Sequence, residues 1–188
     1  MEQFHEFPEL RTRRLILREM TLGDLDFYYR HFNDPHIVDG CCHPGPATPE
    51  DAKNELERYC INPFKENRGI RWGIACTSTA DLIGTVGFYD WDKAVRKVEV
   101  GYDLTPRYRG RGIMTEALSA VLRFGFSTWQ LHRIQAIIDV DNHRSIHLVQ
   151  RLGFTKEGVL RHNSLFNGQY RDDVCFSLLI EDWNNDTE

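Results

Sequence analysis

The chain has 188 residues with 23 basic and 28 acidic side chains, a formal net charge of −5. That is one domain's length, and 41% hydrophobic with 27% charged residues excludes a disordered or collagen-like chain. A mildly acidic chain is poorly suited to non-specific nucleic-acid binding, which needs a basic face, and no apolar run reaches the roughly 20 residues that span a bilayer.

The five cysteines, Cys41, Cys42, Cys60, Cys76 and Cys175, are odd in number and show no disulfide spacing. A reduced, cytoplasmic setting is expected. The stretch Met1 to Glu6 has neither the basic nor the apolar region of a leader.

Leu15 to Arg18 reads as a first strand. Thr21 caps a helix from Leu22 to Asn33, with Leu25, Tyr28, Tyr29 and Phe32 at helical spacing. That spacing makes the aromatics core rather than a base-stacking platform. Asp39 to Pro46 is a breaker-rich loop. Thr48-Pro49-Glu50-Asp51 opens a second helix, expected to reach about Cys60: a capping hydroxyl, proline at the first position, then acids on the positive dipole end.

The period then falls to two. Trp72, Ile74 and Cys76 alternate in one strand, and Leu82 to Tyr89 forms the next. Val98, Val100, Tyr102 and Leu104 alternate in a third, leaving Glu99, Gly101 and Asp103 on the opposite face. Met114 to Trp129 is a helix, Arg133 to Val140 an apolar strand, and Ser145 to Leu152 a short helix closed by Gly153. Phe154 to Arg161 and Asp173 to Ile180 form a last hairpin, with Asn167-Gly168 as its turn. The pattern predicts a single mixed α/β domain with about seven strands and four helices.

The chemistry concentrates between Val98 and Ala117, where a strand ends, a Gly/Arg loop follows and a long helix begins. Glycines let backbone N–H groups close on an oxyanion, and the helix start adds about half a positive charge. Arg107, Arg109 and Arg111 add more. This is a phosphate or pyrophosphate cradle. It is not a P-loop, because Ile113 and Met114 stand where Lys and Ser/Thr are required. It is not a dinucleotide loop, because Thr115 replaces the third glycine.

Glu99-Val100-Gly101-Tyr102, then Gly110-Arg111-Gly112-Ile113-x-Thr115-Glu116-Ala117, resembles the acetyl-CoA signature of the GNAT superfamily of N-acetyltransferases. This version is similar to the RimJ/RimL branch, which includes enzymes that acetylate N-termini of ribosomal proteins. Asn142-His143-Arg144-Ser145, then Leu152-Gly153-Phe154, resembles the family's second cofactor-contacting motif. The ending Gly158-Val159-Leu160-Arg161, Asn167-Gly168, Arg171-Asp172 and Ser177-Leu178-Leu179 also resembles this branch. The resemblance runs from Leu10 to Trp183. It implies the GNAT acyl-CoA N-acyltransferase fold, a mostly antiparallel, twisted, seven-stranded sheet with about four helices. The strand ending at Leu104 and the one starting near Arg133 are expected to splay apart into a cofactor slot. It further implies acetyl-CoA as cosubstrate, no metal, and direct transfer to a primary amine.

The superfamily pattern Gln/Arg-x-x-Gly-x-Gly/Ala fits literally at Arg107-x-x-Gly110-x-Gly112. It fits at Arg109-x-x-Gly112-x-Met114 if methionine replaces the last small residue, a register that Thr115-Glu116-Ala117 supports. By this resemblance Arg109, Gly110, Arg111, Gly112, Ile113 and Met114 form the pyrophosphate loop. Backbone groups at Tyr102 and Leu104 hold the pantetheine arm, and Asn142 is a further cofactor contact. Glu99 is the candidate catalytic base, with a solvated or salt-bridged strand residue as the plain alternative. Asp103 shares its side and reads as non-catalytic.

Many members carry a tyrosine acid four positions after the serine position of the second motif, and here Val149 stands there. Ser145, the nearest matched hydroxyl, is the second catalytic candidate, beside the thiolate, or else a helix cap. His36, Cys41, Cys42 and His43 lack a zinc spacing. His162 reads as a surface histidine near the acceptor groove, and Arg161 with Asp172 as a hairpin ion pair. A protein N-terminus is the expected acceptor, with a small-molecule amine or polyamine as the alternative within the same chemistry. The missing tyrosine also permits a decayed acyl-CoA-binding or sensing module. Neither nucleic acid nor membrane is an expected partner, and a homodimer is open.

Overall fold

The computed structural model describes residues 6–183; Met1 to His5, most of the stretch read above for a leader, lie outside the described residues. A two-residue strand, β1 (Leu10–Arg11), precedes β2 (Leu15–Arg18). Thr21 and Asp24 form a capping box, and one 3₁₀ turn leads into α1 (Leu25–Phe32). Helix α2 (Pro35–Cys41) follows, where a loop was expected from Asp39. The Asp34 side chain accepts from the His36 amide at 2.9 Å and Pro35 occupies the first turn, an N-terminal signal that outweighs Gly40. Cys42, at φ 49°, ends the helix.

Helix α3 (Pro49–Leu56) opens on the Thr48–Asp51 capping box. It does not stop at Cys60 but runs through a π-helical stretch, Glu57–Ile61, into α4 (Asn62–Lys65). Pro63, which has no N–H to donate, follows this widened stretch. The remaining elements are β3 (Ile70–Cys76), β4 (Leu82–Asp92), β5 (Lys97–Leu104), α5 (Ile113–Ser127), β6 (Arg133–Asp139), α6 (His143–Arg151), β7 (Thr155–Phe166) and β8 (Gln169–Leu179).

Among the described residues the sheet has eight strands rather than seven, in the order β1-β2-β3-β4-β5-β6-β8-β7. The extra strand, β1, has two residues, too few for a periodic signal. Helices α2 and α4 exceed the four expected. The last hairpin is longer than its apolar pattern, because β7 bulges between Leu160 and Ser164 and then resumes pairing. Its turn is the one expected, with Asn167 at φ 50° and Gly168 at φ 74°.

One face of the sheet buries Trp72, Val86, Phe88, Val100, Ile134 and Phe176 in a core shared with Leu118, Val121 and Leu122 of α5 and Val149 of α6. A second cluster, Met20, Tyr28, Ala52, Leu56 and Cys60, seats α1 and α3. Tyr28 and Phe32 therefore pack as core, as their spacing implies.

All strand pairs are antiparallel except β5 with β6. These two pair at Lys97↔Arg133, Val98↔Ile134 and Glu99↔Gln135, and then separate. Past Glu99, β5 stays on β4 as far as Leu104, while β6 stays on β8 as far as Asp139. The expected splay is present, and it opens beside Glu99. Among the described residues no helix is long and apolar enough to cross a membrane.

Candidate active site

The Gly/Arg loop lies between the open arm of β5 and the start of α5. Gly110 at φ 73° and Gly112 at φ 70° take the left-handed turns that bring the chain into the helix. Gly112 is the N-cap and supplies no side chain to the first amides of α5, leaving the helix start to an external acceptor. No atom lies within 4 Å of where a Gly110 Cβ would sit. Ile113 and Met114 are 8% and 9% exposed and point into the core, so the bulk of Met114 stays out of the loop and both residues offer backbone alone.

Arg109 donates from Nε to the Leu104 carbonyl at 3.0 Å and from Nη2 to the His36 carbonyl at 3.2 Å. Burial, then the nearby Arg144 charge, lowers its affinity for its proton. Arg111 is exposed, and its carbonyl accepts from Arg14 Nη1 at 2.9 Å. Backbone amides, clustered guanidinium groups and open space fit a polyanion such as a pyrophosphate.

Across the slot, Tyr102 Oη and Ser145 Oγ lie 2.5 Å apart, joining β5 to α6. Ser145 is not the cap: Asn142 Oδ1 accepts from the Ser145 amide at 3.2 Å. Asn142 Nδ2 donates to the Gly40 carbonyl at 3.1 Å, so this side chain also braces α2. Burial pushes the Tyr102 phenol up to about 12, keeping it a neutral donor at ordinary pH. Val149, in the position of the missing tyrosine, is fully buried in the core. Sequence reasoning gave Tyr102 a backbone role; its strand period fixes the face, but not the distance to a hydroxyl 43 residues on.

Glu99 is the last rung before the strands part. Its Oε1 accepts from the Tyr89 hydroxyl and its Oε2 from Gln135 Nε2 at 3.1 Å. Burial pushes its carboxyl above the usual range, with these hydrogen bonds working in the opposite direction. Among the described residues it makes no ion pair. Tyr89 and Gln135 were not singled out from the sequence, and nothing local marks either.

Asp103 anchors a network that the sequence reading also missed. Its carboxylate accepts from His31 Nε2 at 2.6 Å, Arg71 Nη2 at 2.7 Å, the Thr85 amide at 2.9 Å and the Thr85 hydroxyl. His31 Nδ1 lies 3.1 Å from Thr105 Oγ1, so the network ties α1 to the end of β5. Burial alone would raise the Asp103 carboxyl, but the hydrogen bonds and charges of His31 and Arg71 outweigh it and hold it at about 2. Two further acids are matched by arginines: Asp139 by Arg171 at 3.2 Å and Glu157 by Arg133 at 2.6 Å. The expected Arg161–Asp172 pair is replaced, since Asp172 accepts from the His162 amide at 2.8 Å. His162 stacks on Tyr170, their rings 5.4 Å apart. Cys42 Sγ meets Asp139 Oδ2 at 3.5 Å, which links α2 to the end of β6.

Comparison with known proteins places this geometry in a family. Residues 14–155 match the acetyltransferase (GNAT) domain. The chain is 35% identical over 173 residues to the uncharacterized N-acetyltransferase YoaA of Bacillus subtilis (strain 168), covering 92% of this chain and 97% of the relative. It is 34% identical over 185 residues to the ribosomal protein uS5-alanine N-acetyltransferase of Escherichia coli (strain K12), covering 93% and 92%. It shares its fold with a crystal structure of spermidine N-acetyltransferase from Vibrio cholerae in complex with CoA and spermine, with a TM-score of 0.80 at 23% identity over 91% of this chain and 98% of that one. The protein belongs to the GNAT acetyltransferase family and is an acetyl-CoA-dependent N-acetyltransferase.

A first expectation concerns the loop. Gly112→Val places a β-branched residue in the left-handed region, at a cost of roughly 1–2 kcal/mol or the loss of the loop's shape. Acetyl-CoA affinity by calorimetry should fall by about tenfold or more. Unchanged affinity would refute the cradle.

Proposed function

We propose that the protein acetylates a protein N-terminal amine, with Glu99 as the base. The observation that carries this reading is the placement of Glu99 at the fork of β5 and β6 with no ion-pair partner among the described residues. Asp103, Asp139 and Glu157 are each matched by an arginine, whereas Glu99, at the fork, is not, and is open to an incoming amine. The similarity to a ribosomal-protein alanine N-acetyltransferase over nearly the whole chain supports the same acceptor class.

In this reading the amides at the start of α5, with Arg109 and Arg111, hold the pyrophosphate, and acetyl-CoA supplies the activated acetyl group. Backbone groups at Tyr102 and Leu104 hold the pantetheine arm. Glu99 takes one proton from the ammonium, the nitrogen bonds to the acetyl carbonyl carbon, the carbon–sulfur bond breaks, and the second proton lost by the nitrogen ends on the departing thiolate. The Tyr102–Ser145 pair, whose mutual hydrogen bond uses one of its two hydroxyl hydrogens, supplies the other to the departing sulfur. A phenol near 12 lies above an alkyl thiol at about 8.5, so it stabilises the thiolate by hydrogen bonding without giving up its proton. Asn142 acts on the cofactor side through the α6 cap.

Asp90, which follows the Glu99 partner Tyr89 on β4, favours a second reading, although the Lys97 charge acts on Glu99 in the opposite sense. A second carboxylate near the base suits a polyamine, and the shared fold with a spermidine enzyme is compatible with it. Incubation with acetyl-CoA and a panel of N-terminal peptides, spermidine and small amines separates the readings by thiol release. Turnover with peptides supports the proposal, and turnover confined to polyamines replaces it. Tight cofactor binding with no turnover on the whole panel would indicate a sensing module.

A further inference from the structure

Glu116 lies in the first turn of α5, where a negative charge suits the helix dipole but opposes a bound pyrophosphate. The fold directs three donors at it. Thr12 Oγ1 donates at 2.6 Å, the Arg14 amide at 2.9 Å and Arg14 Nε at 2.6 Å. Burial opposes ionisation, yet these partners hold the carboxyl below its usual range.

Arg14 reaches further than Glu116. Its Nη1 donates to the Arg111 carbonyl at 2.9 Å, and its Nη2 lies 3.6 Å from where a Gly112 Cβ would stand. One guanidinium, fixed by the short turn between β1 and β2, thus holds both the loop and the first turn of α5. The peptide joining Arg111 to Gly112 is planar, so its C=O and N–H point in opposite directions. Pinning the carbonyl toward Arg14 turns the Gly112 N–H away from it. An anion-binding loop needs its carbonyls turned aside in this way.

We propose that Arg14 and Glu116 are positioning residues of the acetyl-CoA site, a clamp that sets the Arg111–Gly112 peptide so that its N–H faces the cofactor pyrophosphate. The inference rests on Arg109 to Met114 being the pyrophosphate loop. Arg14 acts through the peptide it pins, and Glu116 acts through Arg14.

Glu116→Gln separates the clamp from simple charge, because the two predict opposite signs. Removing a negative charge near a pyrophosphate strengthens CoA binding if charge alone matters. Loosening a clamp weakens it, and we expect roughly a tenfold loss by calorimetry. The KM for acetyl-CoA should rise while kcat at saturating cofactor and the acceptor KM hold, a split that a general loss of stability does not produce. Arg14→Lys keeps the charge but cannot span Glu116 and the Arg111 carbonyl together, so it should behave like Arg14→Ala. The double variant Arg14→Ala/Glu116→Gln should be little worse than the worse single one.

CoA binding in Glu116→Gln that equals or exceeds that of the unsubstituted protein overturns the clamp, as does full affinity in Arg14→Lys. Gly112→Val keeps this apart from the reading beneath it. If Gly112→Val abolishes binding while Glu116→Gln is neutral, only the clamp fails. If Gly112→Val is itself neutral, the cradle fails.

Discussion

Glu99→Gln should lower kcat by roughly 10²–10³ at neutral pH, the usual range for a lost acid/base group, and leave acetyl-CoA affinity unchanged. The substitution keeps the shape of the side chain and one of its two acceptor oxygens, turns the other into a donor, and removes its proton affinity. Burial raises the Glu99 carboxyl, so the acid limb of kcat/KM should lie above that of an ordinary carboxylate. The base must be ionised to work, so activity is lost as pH falls through that limb. Tyr89→Phe removes a donor that favours the ionised form, and should move the limb to higher pH while leaving the plateau near its original height. An N-terminal amine, with a pKa of about 8, is partly neutral near its own pKa, so the deficit of Glu99→Gln should shrink as pH rises past it. A Glu99→Gln enzyme with undiminished kcat from about pH 6 to 9 would leave positioning as the whole mechanism.

Asp103→Asn should cost stability on the order of 3–5 kcal/mol, the usual penalty for removing one partner of a buried ion pair. The Asp103 side chain is 1% exposed and that of Arg71 19%, so the guanidinium left behind has little water to turn to. The group's folded pKa of about 2 lies below its unfolded value of about 3.9. Its contribution is therefore complete above about pH 4 and is lost as pH falls through about 2. Chemical denaturation should show a gap between the unsubstituted protein and Asp103→Asn that is full at neutral pH and narrows below about pH 4. A gap that stays constant down to about pH 2, or stability within about 1 kcal/mol of the unsubstituted protein, would mean that the network contributes little.

Strands β3 to β6, helix α5 and the Gly/Arg loop were legible because their signals are local. Val98, Val100, Tyr102 and Leu104 carry a period of two, and Gly110 and Gly112 sit where the chain must turn. Helix α2 was hidden by Gly40 and the prolines after it, although Asp34-Pro35 already signals its start. The residues that hold the site together were harder to see because each works through a distant partner. Arg14 meets Glu116 across 102 residues, His31 meets Asp103 across 72, and Gln135 meets Glu99 across 36. Nothing in the sequence around His31 distinguishes it from the other seven histidines. Asp103, read as a non-catalytic residue on the face opposite the apolar one, is 5% exposed. Its role follows from α1 folding over it.

The parting of β5 and β6 also divides the molecule mechanically. Among the described residues, three strand rungs, from Lys97↔Arg133 to Glu99↔Gln135, join the half-sheet of β1 to β5 to the half-sheet of β6, β8 and β7. Each half is internally laddered by antiparallel pairs, and the two share one hydrophobic core beneath α5 and α6. Glu99 and Gln135 form the terminal stitch. Any change in how the two halves meet is therefore felt first at this pair. If Glu99 is the base, as proposed, it sits on a seam of the sheet where only a short parallel ladder joins the two halves, rather than within a continuous ladder.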